Sequence, residues 1–355
     1  MRTFKYVLIY LLIIQFALYY IVPLDMVYGY RMDYELVKNN IHNIDTILEQ
    51  ISKEVKNKDL KEYVIILGDS VAFSGPGDSQ QSIGYYLEEI NREKNGENAT
   101  RFFNLSMPAM QVGDIYTMLL KLDKYGISTD NVILNITYAG FVKRDPDPPI
   151  VFWFRDNLKN MDQESYAEVQ VNLTANDYSK GKKNFVSYFS SFLESRIYPS
   201  LRLFQYKDFL KKAVNGEHQS DALGDARVWS EKECLRELLK EYEYQRGFSA
   251  KPFDMSTTNP QIYFLEKIME RQQDKNTLIF LAAVNEVLME EEVNKDGYQE
   301  NLKKIDNYFR IKDSKYLNLQ GKIGESSFSD HIHLTSEGYR MLAEILYEEL
   351  LVTSD

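Results

Sequence analysis

The chain has 355 residues, 44% of them hydrophobic, and 53 acidic against 42 basic side chains give a net charge of −11. That balance argues against nucleic acid and anionic lipid surfaces as partners, because both select basic faces. A single cysteine, Cys234, excludes an internal disulfide framework. With four histidines and no Cys/His cluster, no metal site and no cofactor are expected.

Residues 1–30 read as a transmembrane anchor. Arg2 and Lys5 precede Tyr6–Leu24, an uncharged run with Gln15 as its one strongly polar residue. About twenty apolar residues suffice to cross a bilayer core. Basic residues on the leading side keep that end cytoplasmic and send the rest out. A cleaved signal peptide is the competing reading, but the run is long for one and no small-x-small site follows. The expected location is therefore the cell membrane, single-pass, with the remaining chain extracytoplasmic. Residues 31–62 read as a helical stalk, in which Val37, Ile41, Ile44, Leu48, Ile51 and Val55 recur at steps of four and three. This seam predicts one helix over Asp33–Glu62, which pairs two chains or, more in keeping with its short length, lies against the next domain.

Residues 63–355 read as one α/β domain. Val64–Leu67 is an unbroken apolar run of the kind buried on both faces of a parallel sheet, and it stops at Gly68-Asp69-Ser70. Two glycines and a proline force a turn, and a helical pattern follows from Gln80. Ser70 thus sits at the carboxyl end of the first strand, where open α/β sheets place their chemistry. Taken alone, such a serine more often caps the next helix. Arg101–Ser106 is the second strand and Gly113–Leu122 the helix after it. Asn131–Thr137 is the third strand.

From 143 to about 260 the sheet pattern stops. Asp145-Pro146-Asp147-Pro148-Pro149 breaks the chain and Ile150–Phe154 is strongly apolar. Helical patterns follow over Phe185–Arg196, Leu201–Val214 and Glu231–Tyr244. This is a helical insertion, a lid or substrate platform; its apolar patch is the insertion's own core or a contact with a membrane or a membrane protein. The sheet resumes with helix Ile262–Arg271 and strand Asn276–Asn285, whose last residue, Asn285, either contacts a ligand or caps the loop. Helix Gln299–Tyr308 and strand Lys315–Leu319 lead to Ser329-Asp330-His331-Ile332-His333 and a closing apolar helix. The alternation of strands and helices gives about five parallel strands. There are no repeats, and Gly75-x-Gly77 alone does not make a nucleotide loop.

A strand-end Gly-Asp-Ser, with Asp and His three residues apart before the last helix, resembles the SGNH (GDSL-type) hydrolases. The resemblance implies a three-layer α/β/α sandwich of flavodoxin-like type, with Ser70 as nucleophile, His333 as base and Asp330 as its orienting carboxylate. A serine hydroxyl needs an imidazole to take its proton, and the imidazole needs a carboxylate to fix its tautomer. His331, directly after Asp330, is the rival base and should point elsewhere. The family's second block implies an oxyanion-hole amide at Ala109, or at Ser106 on a shifted alignment. Its third block would put an asparagine at the end of the third strand; here Asn135 lies inside the strand and Tyr138 beyond it, so the hole departs from the family pattern. That loose block is similar to export-associated branches that acylate alginate or teichoic acid. The implied activity is an exported, membrane-anchored serine esterase or O-acyltransferase acting on acyl (acetyl) groups of a cell-surface polysaccharide. An integral-membrane partner could supply the acyl group, and the 26 tyrosines hint at a carbohydrate groove. The alternative is a catalytically inactive protein of this fold that binds glycan or assists an export complex.

Overall fold

In the computed structural model, residues 2–96, 100–143, 148–173, 201–215, 221–312 and 314–352 are described. Five strands, β1 Tyr63–Leu67, β2 Arg101–Asn104, β3 Asn131–Ile136, β4 Asn276–Leu281 and β5 Tyr316–Asn318, form one parallel sheet in the order β2-β1-β3-β4-β5. Side chains alternate across it. Val64 and Ile66 enter one core, Ile65 and Leu67 the other.

The longer helices are α1 Arg2–Ile21, α2 Asn43–Asn57, α3 Ile83–Asn95, α4 Val112–Lys124, α5 Arg202–Asn215, α6 Pro260–Arg271, α7 Asp296–Ile311 and α8 Ser336–Tyr347. Leu87 and Ile90 of α3 and Leu342 and Leu346 of α8 cover the Val64 face. Ile47 of α2, Leu119 of α4, Leu265 of α6 and Ile305 of α7 cover the other. Start signals are local: Ser82 accepts from the Tyr85 amide ahead of α3, Thr335 from Gly338 ahead of α8, and Asn259 from Gln261 ahead of α6. After β2 the chain crosses to the far side of β1 to form β3. The carboxyl ends of β1 and β3 therefore frame the switch-point crevice in which open α/β sheets bind ligands.

Phe4–Ile21 is long and apolar enough to cross a membrane, with a mean hydropathy of 1.8 and none of it buried. The chain joins the domain directly after it. Val22, Leu24, Val27, Tyr28 and Met32 are buried in the main core, so residues 22–30 are part of the folded domain, although in sequence they extend the apolar run. The single helix expected over Asp33–Glu62 is two, Tyr34–Asn39 and α2. The break falls at Asn40, which is extended; its side chain accepts the His42 amide and donates to Asp208 across the fold. Ile44, Ile47, Leu48 and Ile51 are fully buried. At about 1.5–3 kcal/mol per buried aliphatic side chain, this face is bound to the domain and not offered to a second chain.

In the insertion, α5 packs on α1 and α2 through buried Tyr206 and Phe209, with Arg202 paired to Glu49. The helix expected over Phe185–Arg196 lies outside the described residues. Glu231–Tyr244 is not one helix. It consists of a tight turn at Trp229–Glu231 and single turns at Leu235–Leu238 and Tyr242–Gln245. Charged residues occupy most of this stretch, and Leu239 is its one fully buried apolar side chain, too little of a stripe to hold a continuous helix.

Candidate active site

The turn after β1 is built by close approach. A Cβ on Gly68 would lie 2.5 Å from the Asn135 Cβ and 2.8 Å from the Ala72 Cβ, so only glycine lets β1 pass β3 here. Asp69 then caps a one-turn helix, Ser70–Phe73, by accepting from the Val71 amide at 2.9 Å. The cap is thus Asp69, which leaves Ser70 at the first helical position with its hydroxyl free to point outward. Behind the turn Arg31, 1% exposed, donates to the carbonyls of Phe73, Ser74 and Gly77 and to that of Asp221, while stacking over the Phe73 ring. A guanidinium has five donors, and here they are spent on four carbonyls and the Asp221 carboxylate, which explains why a buried charge is tolerated.

The returning loop is closed on itself. Ser329 N–H and Asp330 N–H both donate to the His333 carbonyl, and Thr335 N–H donates to Ser327. Asp330 Oδ1 accepts the Ile332 and His333 amides at 2.9 and 2.8 Å. This leaves Oδ2 for His333 Nδ1, at 2.8 Å. On the other side of the ring, His333 Nε2 lies 2.8 Å from Ser70 Oγ, across 263 positions of sequence. Hydroxyl, imidazole and carboxylate form a continuous hydrogen-bonded line at the carboxyl end of the sheet. The five-stranded parallel α/β fold agrees with the one that the resemblance to the SGNH (GDSL-type) hydrolases implies.

Two solved structures are similar to this chain, both described as lipolytic proteins of the G-D-S-L family. That from Desulfitobacterium hafniense DCB-2 has 11% identity and a TM-score of 0.35, covering 82% of this chain and 100% of its own. That from Veillonella parvula DSM 2008 has 10% identity and a TM-score of 0.37, covering 83% and 100%. No family model and no curated protein matches the chain.

Electrostatics separates the two histidines. For His333, burial opposes the charged form, but the facing Asp330 and, farther off, Asp69 outweigh it and hold the imidazole pKa above its usual value. Burial likewise raises Asp330, yet His333 and the loop amides prevail and keep this carboxyl well below the ordinary carboxylate range. His331 is pushed down to about 4 by burial. It is held edge-on between Tyr244 and Phe248, its backbone carbonyl accepts the Asn285 amide, and Nδ1 has no hydrogen-bond partner among the described residues. It is thus turned away from Ser70.

Of the other residues singled out in sequence, Ala109 is exposed beside the crevice in a left-handed conformation, φ +62°. This is the backbone shape a glycine adopts freely, so the turn keeps glycine-like geometry with alanine in place. Among the described residues neither the Ala109 nor the Ser70 N–H has an acceptor. Ser106, the alternative, is fully buried with its amide donating to Asn104 Oδ1; it has no donor to offer. Asn135 is buried against Gly68 and donates to the Ile136 carbonyl. Asn285 is fully buried and caps the following turn by accepting from Leu288. All three side chains are buried, and Asn135 Oδ1 and Asn285 Nδ2 have no hydrogen-bond partner among the described residues. The group at the end of β3 is Thr137, hydrogen-bonded to Asp69, whose carboxyl burial pushes up.

Sequence reading missed the insertion's part in this site. Leu223 N–H donates to Gly75 of the nucleophile loop and Trp229 N–H to Phe328 of the returning loop. Lys232 Nζ donates to the Ser329 carbonyl and hydroxyl at 2.6 and 2.9 Å. Residues 221–232 therefore strap together the two loops that carry Ser70 and His333. Nothing in the spacing of Asp221, Leu223 and Lys232 announces this.

Proposed function

We propose that the protein is a serine-nucleophile enzyme that cleaves or transfers carboxylic acyl groups through an acyl-enzyme at Ser70. The observation that carries this is the unbroken Ser70–His333–Asp330 line with both outer distances at 2.8 Å. Ser70 Oγ attacks the ester carbonyl while His333 Nε2 takes its proton. His333 then returns the proton to the leaving alcohol, and water or a sugar hydroxyl resolves the acyl-enzyme by the reverse route. Asp330 fixes the tautomer through Nδ1. The Ser70 and Ala109 amides receive the tetrahedral oxyanion.

The finer reading is an exported, membrane-anchored enzyme acting on acetyl groups of a cell-surface polysaccharide. It is supported by the apolar α1 with basic residues at its start and by a strongly acidic surface, which suits a neutral better than a polyanionic substrate. Tethering favours transfer from a membrane-embedded donor over free hydrolysis. A second reading, a non-catalytic binder of this fold, is favoured by one feature: Thr137 and Tyr138 follow β3 and Asn135 is buried within it, so no asparagine stands at the end of β3 to back the oxyanion.

A fluorophosphonate probe and p-nitrophenyl acetate distinguish the two readings. The enzyme reading expects a covalent adduct at Ser70 and a turnover that falls by about 10⁴-fold or more in Ser70→Ala. A wild-type protein that neither labels nor turns over, or a rate indifferent to the substitution, leaves the binder.

A further inference from the structure

The apolar run at the start of the insertion has a place in the site that its composition does not explain. Asp114, fully buried in the first turn of α4, accepts four backbone amides: Gln111 and Phe152 on Oδ2, Trp153 and Phe154 on Oδ1, all at 2.8–2.9 Å. One carboxylate thereby fastens residues 152–154 to the loop that follows Ala109. Gly113 permits the approach, since a Cβ there would stand 2.6–2.9 Å from Val151, Ile150 and Phe264. The indole N–H of Trp153 then donates to the Pro108 carbonyl at 2.9 Å. That carbonyl belongs to the same peptide unit as the Ala109 N–H, so a bond to one end sets the direction of the other. On its other side the Trp153 ring meets Tyr34 edge-on, and Tyr34 meets Phe73, the last residue of the turn that begins at Ser70.

We infer that Trp153 and Asp114 are positioning residues that aim the Ala109 peptide at the oxyanion and lock its turn to the nucleophile turn through Tyr34 and Phe73. The inference rests on the acyl-transfer reading for the purpose of the aim, and on the hydrogen bonds alone for the lock. It accounts for a left-handed alanine where glycine would be unstrained: the peptide is held from behind by a side chain of the insertion. A carbonyl bonded to an indole N–H also polarises its peptide, which strengthens the opposite N–H as a donor.

The test uses the full-length protein in detergent with Trp153→Phe, which keeps the ring and removes the N–H, and Asp114→Asn, which keeps the shape and replaces an acceptor by a donor. Two readouts separate the lock from the aim. Hydrogen–deuterium exchange over residues 105–112 should accelerate in both variants, by about tenfold or more in Asp114→Asn, with exchange in β1 and β4 unchanged. Ester turnover and phosphonylation of Ser70 should fall about tenfold in Trp153→Phe, in kcat with KM unchanged, because a misaimed oxyanion donor is missed only in the transition state. Unchanged exchange over 105–112 overturns the inference. Faster exchange with an unchanged kcat supports the lock and overturns the assignment of Ala109 to the oxyanion. A wild type without turnover defeats the enzymatic reading, while the exchange result still decides whether Trp153 and Asp114 hold the turn.

Discussion

The returning loop and the Pro108–Ala109 turn draw on local and distant bonds in different proportion. The returning loop is held mostly from within: over nine residues, Ser327 to Thr335, it supplies the acceptor carbonyls, the capping carboxylate and the imidazole, and Trp229 and Lys232 of the insertion add bonds from outside. The Pro108–Ala109 turn closes with one bond of its own, Met110 N–H to the Met107 carbonyl, and takes the rest from outside: Gln111 on the Ala109 carbonyl, Trp153 of the insertion on the Pro108 carbonyl, and Asp114 on the Gln111 amide. A loop whose bonds are local can be carried from protein to protein as a motif, whereas a turn whose bonds are distant has to be rebuilt around whatever packs behind it.

The sharpest way to break the self-supporting loop is at its carboxylate. Asp330→Asn should lower kcat about 10⁴-fold on the proposed reading, because the amide can donate to Nδ1 and so favour the wrong tautomer. It should also lose the acid dependence that Asp330 gives to folding. A carboxyl whose folded pKa is depressed contributes stability above its unfolded value and loses it as pH falls, so the wild-type excess stability should be present at pH 7, begin to fall only below about pH 4, and go as the pH approaches the depressed folded value. Thermal melts across that range, with rates at pH 7, check both. An unaltered tautomer-dependent rate would mean that the loop orients nothing.

His331 provides the next contrast, because it lies in the same loop and is buried neutral. Its pKa falls from 6.5 to about 4, so the unfolded chain binds the proton first as pH drops through that interval. Stability should therefore decline from pH 6.5 to 4 by about 3 kcal/mol on its account. His331→Phe, which keeps a ring between Tyr244 and Phe248, should flatten that decline and leave kcat at pH 8 within about twofold. A collapse of turnover in this variant would make it, and not His333, the base.

The smallest effect belongs to the externally held turn. Ala109→Gly keeps the N–H and removes a Cβ from left-handed backbone, which costs an L-residue about 1–2 kcal/mol. Part of that gain is offset by glycine's larger unfolded entropy. The net expectation is a stability gain of up to about 1 kcal/mol in denaturant titration, with turnover nearly unchanged. A loss of stability would show that the alanine methyl makes contacts that outweigh the strain.

What could be read from sequence divides along the same line. Val64–Leu67, Asn131–Ile136 and Asn276–Leu281 announce buried strands by unbroken apolar runs, and the sheet is assembled from them. The Ser70, Asp330 and His333 contacts are legible because each half of the triad is written in a few adjacent residues. Asn40 ends a helix because its amide reaches Asp208, 168 positions away, and Trp153 matters because of where Pro108 lies. Neither fact has a local signature. Asn135, inside the third strand, and Asn285, beyond the fourth, are both buried, because Gly68 lets β1 crowd the first and the turn at Leu288 takes the Oδ1 of the second.

The path from α1 into the domain has a practical consequence. Tyr28 receives the Asn104 amide at the end of β2, and the Arg31 guanidinium braces the loop behind Ser70. A soluble preparation made by trimming the hydrophobic leader has to cut close to Ile21. One that starts ten residues later discards the bolt behind the nucleophile along with the apolar helix, and inactivity in such a fragment would report on the cut and not on the chemistry.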